Sequence, residues 1–134
     1  MMGSLGIGCD LTAMSQEDLK AAKKWVSQYK QLRPLMDRFH RLENPSPNDY
    51  RLFQYSAEQG AVLFAFLPSS RVGHKPTTVR LRGLDPQARY RFTYEWQQHE
   101  ASGAYLMNRG LRLWLQGDYA STIIRFDRVT ADQG

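Results

Sequence analysis

Two pairs of carboxylates in this chain carry the residue types for glycoside hydrolysis. Glu95 and Glu100 flank Trp96, and Asp118 and Asp127 flank an apolar-alternating stretch. That reaction needs two carboxyl groups facing each other across a sugar, roughly 5–10 Å apart. Nothing in the spacing places either pair in a cleft, and most of these residues fall in turn-like segments. The histidines, His40, His74 and His99, lie in three different segments with no HxH or HExxH spacing and no cysteine beside them. A zinc site is therefore not expected. Cys9 sits in an apolar stretch, which reads as a buried, inert thiol more than as a nucleophile paired with one of those histidines. The glycines of Met1-Met2-Gly3-Ser4-Leu5-Gly6-Ile7-Gly8 follow neither the dinucleotide spacing nor a P-loop with its lysine, so they suit a strand end needing close backbone approach. The expected catalytic, cofactor-binding and metal-binding residues are accordingly none.

The elements that would have to position any chemistry fall into two parts. Met1 to Asp10 reads as a strand and loop leading into one amphipathic helix. Ser15 is its natural N-cap, with Asp18 three residues on approximating a capping box. Leu19, Ala22, Trp25 or Val26, Tyr29 and Leu32 recur at helical spacing, and Pro34 ends or kinks the run. Trp25, placed on that stripe, is expected in the core. After the turn or linker Asn44-Pro45-Ser46-Pro47-Asn48-Asp49 the pattern changes to short strands: 50–56, 61–67, 77–82, 90–96, 111–115 and 121–127. A strand at 39–42 precedes the linker, and 104–107 reads as a further short strand. Ala61 to Leu67 is apolar throughout and is read as a central strand covered on both faces. In Gly83-Leu84-Asp85-Pro86-Gln87-Ala88-Arg89-Tyr90 the proline presets a turn, and Leu84 and Tyr90 point inward. The fold class expected is mainly β, an antiparallel sandwich of Greek-key type preceded by one helix. A strand–loop–helix unit normally has parallel neighbours on both sides, so a lone one is expected to be the end of a β/α barrel. The expected domains are 1–38, the last barrel unit, and 39–134, the sandwich.

Composition bounds the partners. The chain has 134 residues, a net charge of +5 and one cysteine. It is one domain's worth of sequence with an ordinary globular balance. One cysteine excludes an internal disulfide framework and suits a reducing, cytoplasmic compartment. No run approaches the roughly 18–20 apolar residues of a membrane span. The arginines alternate with apolar residues in Arg80-Leu81-Arg82, Arg89-Tyr90-Arg91-Phe92 and Arg125-Phe126-Asp127-Arg128. Period two puts them on a solvated sheet face. The rival reading is a basic sheet with Tyr90, Phe92 and Tyr94 stacking on bases. Acidic residues are interspersed, and no nucleic-acid partner is expected.

Two stretches say more. Met2-Gly3-Ser4-Leu5-Gly6-Ile7-Gly8-Cys9-Asp10-Leu11, followed by a helix ending in Trp25-Val26-Ser27-Gln28-Tyr29-Lys30-Gln31-Leu32-Arg33-Pro34, is one. Ser102-Gly103-Ala104-Tyr105-Leu106-Met107-Asn108-Arg109-Gly110-Leu111, running on to Gly117-Asp118-Tyr119-Ala120-Ser121, is the other. Both resemble the C-terminal end of the α-galactosidases of glycoside hydrolase family 36. The resemblance implies that the first stretch ends a catalytic β/α barrel and that the second lies in the β-sandwich domain following it. The family's nucleophile, in a Lys-Trp-Asp motif, and its acid/base come from earlier barrel strands. Here Lys24-Trp25 is followed by Val26 inside a helix, so no catalytic residue carries over.

The expected function is therefore a non-catalytic C-terminal domain that supports a catalytic barrel, inactive by itself. An α-galactoside would be met only through that barrel, and the exposed apolar surface would favour self-association. A free-standing carbohydrate-binding or interaction module is the alternative, with Trp96 or Trp114 as sugar contacts. Under the leading reading both tryptophans are expected in the core.

Overall fold

A computed structural model describes residues 15–42, 50–68, 76–115, 117 and 120–130. The Met1–Asp10 segment, the Asn44–Asp49 linker, Cys9, His74 and Asp118 lie outside the described residues. The chain divides into two compact units, 1–34 and 35–134.

The described part of the first unit is α1, Gln16–Leu32. Ser15 caps it as the sequence indicates: its Oγ accepts from the Asp18 amide at 3.1 Å, and Glu17 and Asp18 sit at the positive end of the helix dipole. A 3-10 turn, Arg33–Leu35, follows at Pro34. Leu19, Ala22 and Val26 line a shallow groove along the helix with Lys23 and Lys30. Trp25 is 50% exposed, against the expectation of a core residue. Successive helical residues are about 100° apart, so only one of Trp25 and Val26 can lie on the stripe, and Val26 takes the place.

The second unit is built on a six-stranded antiparallel sheet in the order β1-β2-β3-β8-β5-β6. Its strands are β1 (Arg38–Arg41), β2 (Arg51–Ala57), β3 (Gly60–Leu67), β5 (Arg89–Tyr94), β6 (Gln97–Ser102) and β8 (Ala120–Val129). A two-stranded sheet pairs β4 (Thr77–Val79) with β7 (Leu111–Leu113), and a short helix, α2 (Gly103–Asn108), precedes β7. The last strand, β8, returns to lie between β3 and β5, pairing Leu63 with Ile124 and Phe92 with Phe126. Alternation decides which side is buried. Leu52, Leu63, Ala65, Tyr90, Phe92, Ile124 and Phe126 form one buried cluster with Val79, Leu113 and Leu106 from β4, β7 and α2. The core thus fills the space between the two sheets, closed by α2. β3 is central and buried apart from Phe66, as its unbroken apolar run indicates.

Several elements differ from the sequence expectation: the strands expected at 77–82 and 111–115 end at Val79 and Leu113, and β6 is not among the expected strands. Residues 104–107 are helix, not strand: Ser102 Oγ accepts from the Tyr105 amide at 3.1 Å, capping α2, and Gly110 leaves it at φ +81°. Six residues are too few for periodicity to separate helix from strand. The expected strand 90–96 stops at Tyr94, and the chain reverses at Glu95-Trp96 into β6.

The Leu84–Tyr90 corner holds the turn between the sheets. The Tyr90 hydroxyl, on a buried ring, accepts from the Asp85 amide at 3.0 Å, five residues upstream, the arrangement known as a tyrosine corner. Gly103 packs against the same corner, donating its amide to the Ala88 carbonyl at 2.8 Å. A Cβ there would run into the Asp85 carbonyl oxygen, so this position accepts only glycine without backbone movement.

Candidate functional site

The outward face of the six-stranded sheet is divided by residue type. Phe39 on β1, Phe53 and Tyr55 on β2, and Phe64 and Phe66 on β3 share one half. Their rings touch in sequence: Phe39 lies 5.2 Å from Tyr55 and 6.1 Å from Phe53, and Phe53 lies 6.1 Å from Phe66. Phe64 is buried, but Phe39 is 51% and Phe66 37% exposed. Contiguous exposed aromatic surface on a folded domain marks a contact with another body. The other half, on β8, β5 and β6, is ionic. Arg89 holds Glu100 at 2.8 Å, Arg91 approaches the same carboxylate at 3.6 Å, and Arg125 pairs with Asp127 at 2.8 Å. The Arg89 hydrogen bond holds the Glu100 carboxyl below its usual range, with Arg91 adding to it.

This arrangement settles several of the sequence candidates. The alternating arginines 89, 91 and 125 are on the solvated face as expected. Tyr90 and Phe92 are buried and Tyr94 half-buried, so they form no stacking platform for bases. Glu100 on β6 is tied to Arg89 on the neighbouring strand, and Asp127 to Arg125 two residues before it on β8, so both carboxylates are engaged in ion pairs. Among the described residues no group of three His, Cys, Asp or Glu side chains is placed to hold a metal ion.

Beside the tyrosine corner a polar cavity of about 410 Å³ is lined by Asp37, Arg38, Ser56, Glu58, Asp85 and Arg128. Arg128 closes one side through a 2.8 Å bond to Asp85. His40 lies next to this wall, its Nε2 2.9 Å from Ser56 Oγ. Partial burial, with Arg82 and Arg38 nearby, lowers the His40 pKa, so the ring is neutral near pH 7. Gly83, at φ +70°, passes so close that a Cβ would touch both His40 Nε2 and Ser56 Oγ. His40 is thereby fixed as a structural hydrogen-bonding group. His99 stacks on Phe92 at 5.4 Å.

The tryptophans depart from expectation. Trp114 is 49% exposed, and its amide donates to the Tyr94 hydroxyl at 3.1 Å. Trp96 is 99% exposed at the β5–β6 turn. Glu95 and Trp96 have φ +51° and +65°, the left-handed values of a type I′ turn, which favours Asn-Gly. Holding two side-chain-bearing residues there costs on the order of 1–2 kcal/mol each. No Gly, Asn or Pro announces this turn. Its one trace in the sequence is the loss of apolar alternation after Tyr94, in Gln97-Gln98-His99-Glu100.

Comparison with known proteins places these surfaces. Residues 51–126 match the family model described as Glycosyl hydrolase family 36 C-terminal domain. Alpha-galactosidase C of Emericella nidulans is 32% identical over 132 residues, covering 96% of this chain and 17% of its own length. Alpha-galactosidase 1 of Pediococcus pentosaceus is 34% identical over 92 residues, 66% of this chain and 13% of its own. The crystal structure of GH36 alpha-galactosidase AgaB from Geobacillus stearothermophilus superposes with a TM-score of 0.74 at 26% identity, covering 90% of this chain and 17% of that one. This chain thus spans about a sixth of the proteins it is similar to. With 51–126 holding β2 to most of β8 and most of the core cluster, the chain belongs to the C-terminal domain family of the family 36 glycosyl hydrolases.

Proposed function

We propose that this chain is the supporting, non-catalytic end of an α-galactosidase, and that α-galactoside hydrolysis takes place on a β/α barrel to which it belongs. The observation that carries the reading is the match of 51–126 to the C-terminal-domain family in a chain spanning about 17% of its relatives' length. Residues 1–38 are then the last unit of that barrel and 39–134 the sandwich. The aromatic half-face of Phe39, Phe53, Tyr55 and Phe66 supports this, because it supplies apolar area for a large, permanent interface. The half-buried stripe of Leu19, Ala22 and Val26 does the same for α1. The domain's task is to cover apolar surface of the barrel and raise its stability, as any body that binds only the folded state does. Expressed without a barrel, the chain self-associates through these surfaces. No helix among the described residues is long and apolar enough to cross a membrane. The single cysteine supports a cytoplasmic location.

The test has two parts. Reading the coding DNA immediately 5′ of the Met1 codon is expected to reveal an open frame continuing back to a Lys-Trp-Asp segment. Assaying the purified chain on an aryl α-galactoside is expected to give no turnover. Turnover that disappears on mutating one of this chain's own carboxylates would overturn the proposal.

A further inference from the structure

We propose that the β5–β6 hairpin tip is a saccharide contact, with the indole of Trp96 as its stacking platform and Glu95, Gln97 and Gln98 as hydrogen-bonding partners. It rests on the hairpin alone and not on the supporting role proposed above.

Three observations carry it. Trp96 is 99% exposed, so folding gains nothing from burying the largest side chain in the protein. The turn that presents it has two non-glycine residues held left-handed, where Asn-Gly would sit without strain. A position that serves neither packing nor conformation is one whose side chain is used outside the fold. The surroundings then identify the occupant. Glu95, Gln97, Gln98, His99 and Glu100 are all exposed and polar, on the edge strand of the sheet. A protein anchor sits at the charge-depleted centre of its interface, whereas Trp96 is flanked directly by Glu95 and followed on the same hairpin by Glu100. A pyranose fits better: its C–H face covers the indole, while its hydroxyls donate to the Glu95 carboxylate and exchange hydrogen bonds with the two amides. The hairpin's base is anchored to a second half-exposed indole region, since Tyr94 Oη accepts from the Trp114 amide at 3.1 Å.

The test is a titration of the full chain with raffinose, following the three indole N–H resonances by NMR, with the Trp96 signal assigned by its loss in Trp96→Ala. The expected result is a saturable shift of the Trp96 resonance in the millimolar range, with Trp25 unmoved. Trp96→Phe keeps an aromatic face and should weaken binding by about tenfold or less, a difference of up to 1.4 kcal/mol. Replacing both turn residues, Glu95→Asn with Trp96→Gly, should abolish the response while raising the thermal midpoint, because the strain is relieved. No shift of Trp96 at any raffinose concentration up to tens of millimolar would overturn the proposal. So would a Trp96→Ala change that dissociates a self-associated form while raffinose leaves the resonance in place, since the hairpin would then be a protein contact.

Discussion

The side-chain amide of Gln54 closes both backbone hydrogen bonds of Arg82. Its Nε2 donates to the Arg82 carbonyl at 2.7 Å, and its Oε1 accepts from the Arg82 amide at 2.8 Å. A glutamine on the inward face of β2, with no solvent exposure, thus acts as one more peptide unit. It ties the large sheet to the chain between β4 and the tyrosine corner, where no strand is available to pair. Burial of the amide is tolerated because both of its ends are satisfied.

Gln54→Leu keeps the volume and deletes both bonds, leaving a donor and an acceptor of Arg82 without their partner. The expected loss of stability is about 2–4 kcal/mol in urea denaturation, from two hydrogen bonds and the desolvated groups left behind. An unchanged midpoint would mean that water replaces the amide.

Tyr90→Phe retains the ring in the core and removes only the hydroxyl that accepts from Asp85. A cost of about 1–2 kcal/mol is expected. The same denaturation curve measures it, with the slope unchanged if the fold is intact.

Gly103→Ala adds one methyl against the Asp85 carbonyl. The added helix propensity of alanine is worth less than 1 kcal/mol, whereas forcing the backbone apart in a packed corner costs about 1–3 kcal/mol. The thermal midpoint is expected to fall; a rise would show that the corner yields freely.

Because partial burial and then Arg82 and Arg38 lower the His40 pKa from 6.5, the unfolded chain binds more protons than the folded one as pH drops below that value. The contribution is complete above 6.5 and is lost as pH falls through the depressed folded value. Thermal midpoints should therefore decline from pH 7 towards pH 5, and His40→Gln should flatten that slope. Equal slopes in the two proteins would contradict it.

Phe39→Ser combined with Phe66→Ser makes the exposed rings of the outward face polar without touching the core cluster. Light scattering over a wide concentration range is expected to show self-association in the parent chain and its weakening in the double variant. A monomeric parent would remove the aromatic face as the cause.

Much of this protein was legible from residue order, because alternation and capping are local. The β2, β3 and β8 strands, the Ser15 cap, the stop at Pro34, the inward Leu84 and Tyr90, and the outward arginines all follow from period and turn chemistry. The order of two stretches was enough to suggest the family. Tertiary structure alone decided the rest. That β8 lies between β3 and β5, that Gln54 completes Arg82, and that Gly103 touches Asp85 depend on contacts between segments distant in sequence. The Glu95-Trp96 turn carries no turn residues, and the short apolar run at 104–107 suits helix and strand equally. The exposure of Trp96 was likewise hidden: an aromatic side chain reads as core until the fold places it at the tip of a hairpin.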